Sequence, residues 1–157
     1  MPSDVPSDSL ARYENRVYPA VWFAAAAIAQ RLLPSRPRTR RRTLAAAFLT
    51  GTGAAIGGWA VLGFLREGTT VDPLEPTAAE HLVTEGPFRV SRNPMYLAMA
   101  LALAAHASWR GTPAALAPLA GFVAVMTRLQ IVPEERAMRE RFGSAYDAYT
   151  ARVRRWI

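Results

Sequence analysis

Cysteine and lysine are both absent from this chain of 157 residues, and all 19 basic residues are arginine. The missing cysteines exclude disulfides and thiolate metal sites. The missing lysines exclude Schiff-base chemistry and a P-loop lysine. The chain has two histidines, His81 and His106, which are too few for a histidine-rich metal centre. We therefore predict that the protein has no metal site.

The net charge of +7 would suit a nucleic-acid-binding protein. However, the arginines lie between and after long apolar stretches, as they do in membrane proteins. The clearest of these stretches, residues 43–65, has 23 positions without a charge, and about 20 apolar residues cross a bilayer core. We therefore favour a membrane protein. The alternative is a nucleic-acid binder that uses the arginine-rich residues 36–42, and it predicts recovery in the soluble fraction.

The hydrophobic pattern predicts an all-α, integral membrane helical protein. We expect about four transmembrane helices, followed by a C-terminal amphipathic cytoplasmic helix. The first run is short, and a buried soluble helix is its alternative. Small residues within the second run would let neighbouring helices approach closely. The four runs are residues 17–33, 43–65, 95–109 and 112–127.

The third and fourth runs are joined only by Arg110-Gly111, which predicts a tightly turned hairpin. Pro113 suits a helix start, and Pro118 is expected to kink the second arm. Beyond the hairpin, Pro133 and the two acids that follow it are typical of another helix start. The C-terminal region 128–157 is charged and amphipathic.

Arginine counts predict the orientation in the membrane. With four spans, segments 1–16, 66–94 and 128–157 share one side and hold twelve arginines, against six on the other side. The positive-inside rule then places both termini and the long loop in the cytoplasm of a multi-pass cell-membrane protein. We expect a single membrane domain over 1–157: a polar N-terminus, two N-terminal spans over 17–65, and a motif region over 66–157.

Two groups of motifs flank the hairpin. HLVTEGPFRVSRNPMYL precedes it at 81–97, and EE at 134–135, FGSAYDAY at 142–149 and VRRW at 153–156 follow it. Together, in this order and spacing, they resemble the isoprenylcysteine carboxyl methyltransferase and phospholipid methyltransferase family over about residues 66–157.

The resemblance implies an integral membrane enzyme that transfers a methyl group from S-adenosylmethionine, with its site facing the cytoplasm. The cofactor would lie between the loop before the hairpin and the helix after it. Asn93, Tyr96 and Glu134 would position it, and Gln130 or Arg128 would face the substrate. The residues on cofactor-contacting positions are His81, Leu82, Val83, Phe88, Arg92, Asn93, Pro94, Met95, Tyr96, Glu134 and Glu135.

The chemistry of these residues suits the cofactor. Glu134 could pair with its ammonium or accept from its ribose hydroxyls, and Asn93 offers both a donor and an acceptor. Free backbone N–H groups near Pro94 would attract its carboxylate. The expected partners are membrane lipid and a small or lipid-soluble acceptor, which could be a carboxylate, an amine or a thiol. We expect no nucleic acid partner, and the oligomeric state stays open.

Other interpretations of these residues remain. Asn93 stands where many family members have histidine, and Phe88 replaces a frequent tyrosine. A non-enzymatic membrane protein that retains the scaffold is therefore an alternative. Glu134 and its neighbour could simply complement a helix dipole. The aromatic positions within 142–149 could form a packing face or an adenine cage. His106 could bond a neighbouring helix or take part in catalysis.

Overall fold

The computed structural model describes residues 17–67 and 82–157, and the regular structure in these ranges is helical throughout. This confirms the predicted all-α class for the described part of the chain. Short 3₁₀ turns cover Gly86–Arg89 and Pro113–Ala115, and a π-helical turn covers Met126–Ile131. The α-helices are α1 Pro19–Leu32, α2 Arg40–Glu67, α3 Pro94–Arg110, α4 Leu116–Val125, α5 Val132–Phe142 and α6 Ser144–Thr150.

Helices α2 and α3 form the main helix pair, and two glycines bring their backbones together. A Cβ atom added to Gly53 would lie 3.1 Å from the Ala98 carbonyl oxygen, and one added to Gly57 would lie 3.0 Å from the Ala98 Cβ. Larger residues would therefore push the helices apart. The expected close approach through small residues is confirmed at these two positions.

Two described helices are long and apolar enough to cross a membrane, Arg40–Gly63 and Pro113–Phe142. The first exposes large apolar side chains, including Phe48 at 73%, which a soluble core helix would bury. Helices α1 and α3 are about 21 and 25 Å long, which is shorter than the roughly 30 Å hydrocarbon core. The count of four spans therefore stays a prediction.

The predicted hairpin is confirmed. Helix α3 ends at Arg110, the Gly111 N–H donates to the Ala107 carbonyl at 3.0 Å, and Pro113 begins the 3₁₀ turn that leads into α4. Pro118 falls in the first turn of α4, where a backbone N–H has no intrahelical acceptor in any case. The kink expected at this proline therefore has no lost interior hydrogen bond to cause it.

Helices α4 and α5 are parts of one longer helix. Pro133 lies in the first turn of α5, where the sequence predicted a helix start. However, the preceding Ile131 is itself helical, with φ −68° and ψ −46°, so no separate helix begins there. A proline inside a helix removes a hydrogen bond, and its ring presses on the carbonyl four residues earlier. The π turn directly before it widens the helix at that point. The acids after Pro133 consequently lie at no free helix end.

The C-terminal amphipathic helix predicted over residues 128–157 is divided. Helices α5 and α6 are separated by Gly143, whose φ of +50° is one that other residues rarely adopt. After α6 the chain leaves helical geometry, and residues 151–157 turn back toward the start of α3. We call residues 151–157 the C-terminal segment.

A buried polar contact joins α1 to the hairpin. The Gln30 amide nitrogen donates to the carbonyls of Leu103 and Ala115 at 3.0 and 2.8 Å, and its oxygen lies 2.9 Å from Nδ1 of His106. His106 thus bonds a neighbouring helix, as one of the two sequence interpretations held. Residues of α1, α3 and the long helix also form an apolar cluster: Ala26, Tyr96, Ala100, Leu103, Phe122, Met126 and Ile131.

Candidate functional site

The two motif regions meet where α3 and α5 begin. The Tyr149 hydroxyl of α6 donates to the Phe88 carbonyl at 2.8 Å, and the Arg92 N–H donates to the Arg154 carbonyl at 3.0 Å. These bonds tie the 3₁₀ turn before α3 to the end of the chain. The site is therefore built from the residues just before the hairpin and those that follow it.

Glu134 is held by two uncharged donors. The Tyr96 hydroxyl of α3 and the Gln130 amide nitrogen of the π turn each donate to Glu134 Oε1 at 2.7 Å. Tyr96 is 6% exposed and Gln130 3% exposed. Both bonds are short, as expected for a carboxylate acceptor. Gln130, which the sequence placed near the substrate, is buried and contacts Glu134.

Glu135 is held by two arginines. Arg155 donates Nε to Oε1 at 2.9 Å and Nη2 to Oε2 at 2.7 Å, which is a bidentate pair. Arg92 Nη2 lies 3.1 Å from Oε1. The hydrogen bond to Glu135 raises the pKa of the Arg155 guanidinium. The Arg155–Glu135 pair fixes the C-terminal segment against α5. Arg92 joins the turn before α3 to the same carboxylate, and the side chains of Arg92 and Glu135 are only 13% and 14% exposed.

Asn93 lies at the N-cap position of α3, but its side chain does not cap the helix. Its amide nitrogen donates to the Arg155 carbonyl at 2.9 Å, and the Ser91 hydroxyl donates to the same oxygen at 3.3 Å. The first intrahelical bond runs from the Leu97 N–H to the Asn93 carbonyl. The N–H group of Met95, in the first turn, therefore has no acceptor within the helix.

The other residues singled out in the sequence fall into three groups. Phe88 and Pro94 are buried, and Leu82, Val83 and Met95 are partly buried against the Phe88 cluster. Arg128 is exposed on the π turn. His81 lies outside the described residues.

The aromatic positions of the C-terminal region serve as packing. Tyr146 and Tyr149 are each 4% exposed and, with Ala60 and Phe88, form a buried cluster against which Phe142 packs. Burial raises the pKa of Tyr146 to about 12 and also raises that of Tyr149. Both phenols are therefore protonated near neutral pH. The Tyr149 hydroxyl holds the turn before α3 through its bond to the Phe88 carbonyl.

Sequence reasoning did not assign roles to three residues that build this site. Arg155 and Ser91 are two of them, and the third is Trp156, whose indole N–H donates to Thr127 of the π turn at 3.2 Å. The VRRW motif was a signal for Arg155 and Trp156. The role of Ser91 could not be predicted from the sequence, because serine is common next to any turn.

Comparison with known proteins identifies a family. A family model described as phospholipid methyltransferase matches residues 42–145, which contain both sides of the Tyr96–Glu134 contact. An uncharacterized protein of Haemophilus influenzae is 36% identical over 63 residues, which cover 40% of this chain and 100% of that relative. No solved structure matches the chain.

Proposed function

Because the chain belongs to the phospholipid methyltransferase family, we propose that it is a membrane methyltransferase that uses S-adenosylmethionine. Its acceptor is small or lipid-soluble and presents a carboxylate, an amine or a thiol. Membership in the family supports the reaction class. The cofactor, the acceptor and the role of each residue are proposed.

The observation that carries the proposal is the hydrogen bond between Tyr96 and Glu134, at 2.7 Å. These residues are 38 positions apart in the sequence and come from the two motif groups on either side of the hairpin. Had the two groups lain apart, one nucleotide-sized cofactor could not have touched both. Their contact supports a single chamber between α3 and α5.

The residues in this chamber fit the polar groups of S-adenosylmethionine. Its ammonium or ribose hydroxyls need an acceptor, and the Glu134 carboxylate supplies one. Its carboxylate needs a donor, and the N–H group of Met95 at the start of α3 supplies one. Leu82 and Val83, partly buried beside this end of α3, offer apolar surface to the adenine. His81 would complete the set from the preceding loop.

The cofactor would supply an electrophilic methyl group on its sulfonium. A carboxylate, thiolate or neutral amine attacks such a methyl without proton transfer, so the protein contributes mainly by orienting groups and excluding water. Good orientation contributes roughly 7–11 kcal/mol. Tyr96 and Gln130 orient Glu134, and Arg128, exposed on the π turn, is placed to meet the acceptor.

Arg92, Asn93 and Glu135 act by positioning. Asn93 bonds the Arg155 carbonyl, and Glu135 pairs with the Arg155 side chain. Arg92 pairs with Glu135 and donates its N–H to the Arg154 carbonyl. These contacts hold the C-terminal segment. In the proposal this segment is a wall of the chamber that keeps water out. The three residues would contact the cofactor through their backbone atoms, because the polar ends of their side chains are bonded within the protein.

We place the chamber at the cytoplasmic face of a four-span protein. S-adenosylmethionine is a cytoplasmic metabolite. The sequence segments 66–94 and 128–157, from which the site is built, hold ten arginines, against six in 34–42 and at position 110, as the positive-inside rule requires. The shorter helices α1 and α3 would span by tilting or by local thinning of the bilayer.

The test is a calorimetric titration of S-adenosylmethionine into protein purified in detergent. Glu134→Gln should weaken binding at least about tenfold, since a hydrogen bond to a charged group contributes about 1.5–3 kcal/mol. Glu140→Gln is the matched control, because Glu140 is an exposed glutamate on the same helix.

Two results would contradict the proposal. A folded wild-type protein that does not bind the cofactor would support the non-enzymatic scaffold instead. Equal affinity in the wild type and in Glu134→Gln would show that the chamber between α3 and α5 is not where the cofactor binds.

A further inference from the structure

We propose that the end of the bundle opposite the site binds the phosphate of an anionic phospholipid headgroup. The binding surface, which we call the arginine patch, consists of Arg36, Arg38, Arg42 and Arg110. Helix α3 separates it from the site, since Asn93 precedes the helix and Arg110 ends it, about 25 Å away. The patch therefore plays no part in the proposed methyl transfer.

The linker that carries most of the patch is held in a defined conformation. The Arg110 guanidinium donates to the Leu33 carbonyl, and the Arg36 N–H donates back to the Arg110 carbonyl at 3.0 Å. The Thr112 hydroxyl donates to the Pro34 carbonyl at 3.1 Å. These bonds fasten residues 33–36 to the turn of the hairpin, so the positions of the arginines are largely set before any ligand arrives.

The side chains of Arg38 and Arg42 lie at the same turn. The Arg38 guanidinium lies over the Trp109 ring, with Cζ 4.5 Å from its centroid, a cation–π arrangement. Arg42 donates to the Pro37 carbonyl at 3.2 Å and lies directly against Gly111. The hairpin turn and the start of α2 thus share one concentrated positive surface.

No carboxylate from the surrounding helices balances this charge. Residues 17–66 and 86–133 contain neither aspartate nor glutamate. The described ion pairs of Arg89, Arg92, Arg139 and Arg155 all lie outside the patch. In addition, α2 begins with arginines at the positive end of its dipole and has no acid in its first turn. An external anion would relieve this repulsion.

The surface beside the patch indicates what carries the anion. Leu32, Leu44 and Phe48 lie on the helices that flank the linker and are 81%, 60% and 73% exposed. A basic rim directly above an exposed apolar face is the arrangement that meets a lipid, whose acyl chains cover the apolar face while its phosphate meets the guanidinium groups. A free anion or a nucleic acid would leave the apolar face uncovered.

The experiment measures lipid binding to the full-length protein in neutral detergent by native mass spectrometry. Phosphatidylglycerol should bind at least about tenfold more tightly than phosphatidylcholine, because each arginine near an anionic surface contributes measurably. The triple variant Arg36→Gln, Arg38→Gln, Arg42→Gln should lose most of this preference. The matched control removes three exposed arginines from the other end of the protein: Arg136→Gln, Arg152→Gln, Arg154→Gln.

Several outcomes would overturn the proposal. An equal loss of preference in both triple variants would mean that only net charge matters. Tight binding of free glycerol phosphate, or of a short single-stranded oligonucleotide that displaces the lipid, would identify a different ligand. If the patch triple variant does not fold, the double variant Arg36→Gln, Arg38→Gln, which keeps the Arg42–Pro37 bond, must still lose at least about threefold in preference.

Discussion

Glu134 and Glu135 are neighbours on one helix, yet their surroundings differ. Glu134 receives hydrogen bonds from a phenol and an amide, while Glu135 is bound by the guanidinium groups of Arg92 and Arg155. The charge of Glu135 is therefore balanced within the protein. Glu134 instead lies beside the phenol of Tyr96 and the amide of Gln130, and in the proposal its carboxylate faces the cofactor.

The two acids of the EE motif therefore have different tasks in the proposed enzyme. Glu135 joins the C-terminal segment to the turn before α3, which is a structural task. In the proposal, Glu134 presents its carboxylate to the cofactor. Adjacent helical positions point about 100° apart, so each acid meets a different set of neighbours.

The largest effect is expected from Glu135→Gln. It leaves Arg92 and Arg155 without their counter-charge, and breaking a partly buried ion pair from one side costs roughly 2–4 kcal/mol. The free energy of unfolding in detergent should fall by that amount, measured by thermal unfolding. Glu134→Gln is the matched comparison, and an equal loss of stability in both variants would remove the distinction between the two acids.

A smaller loss is expected from Asn93→Ala. It removes the donor to the Arg155 carbonyl, and one such hydrogen bond contributes about 1 kcal/mol. Thermal unfolding should show that decrease, and affinity for S-adenosylmethionine should change less than it does in Glu134→Gln. A loss of affinity without a loss of stability would mean that Asn93 touches the cofactor directly.

Tyr96→Phe sharpens the comparison from the side of Glu134. It removes one of the two donors while keeping the buried ring, so stability should fall by no more than about 1 kcal/mol. Cofactor affinity should fall a few-fold, because Gln130 still orients the carboxylate. Calorimetry decides the point, and wild-type affinity in this variant would argue against the role given to Tyr96.

The smallest effect near neutral pH is expected at Tyr146, whose pKa is raised by burial from 10.0 to about 12. Below pH 10 the phenol is protonated in both the folded and the unfolded chain, so its stabilising contribution is fully present. As the pH rises from about 10 to 12 the unfolded chain loses the proton first, and the free energy of unfolding falls. Tyr146→Phe should reduce this fall, measured by unfolding at several pH values. An unchanged pH dependence would contradict the assignment.

Much of the fold could be predicted because it follows from local patterns. The uncharged run within α2, the hairpin at Arg110-Gly111 and the helical class all depend on composition and turn residues close in sequence. The division at Gly143 was missed, since glycine tolerates many conformations and its φ depends on what the chain meets afterwards. The number of spans is not decided by length alone, because tilt and bilayer thinning both adjust it.

The candidate site was partly predictable for the same reason. The motifs pointed to Tyr96 and Glu134, and the fold brings them into contact. They could not say that Gln130 turns inward while Arg128 stays exposed, since the π turn between α4 and α5 shifts the register of the helix faces.

By itself, the amino-acid sequence determined the helical class, the turn of the hairpin, the distribution of charge and the family-like motifs, because each depends on residue types at short range. Only the tertiary structure decided which acid is paired with arginine, that Asn93 holds the C-terminal segment, and that four arginines gather at one turn. These outcomes depend on contacts between residues far apart in the chain, whose side chains meet only after the helices have packed.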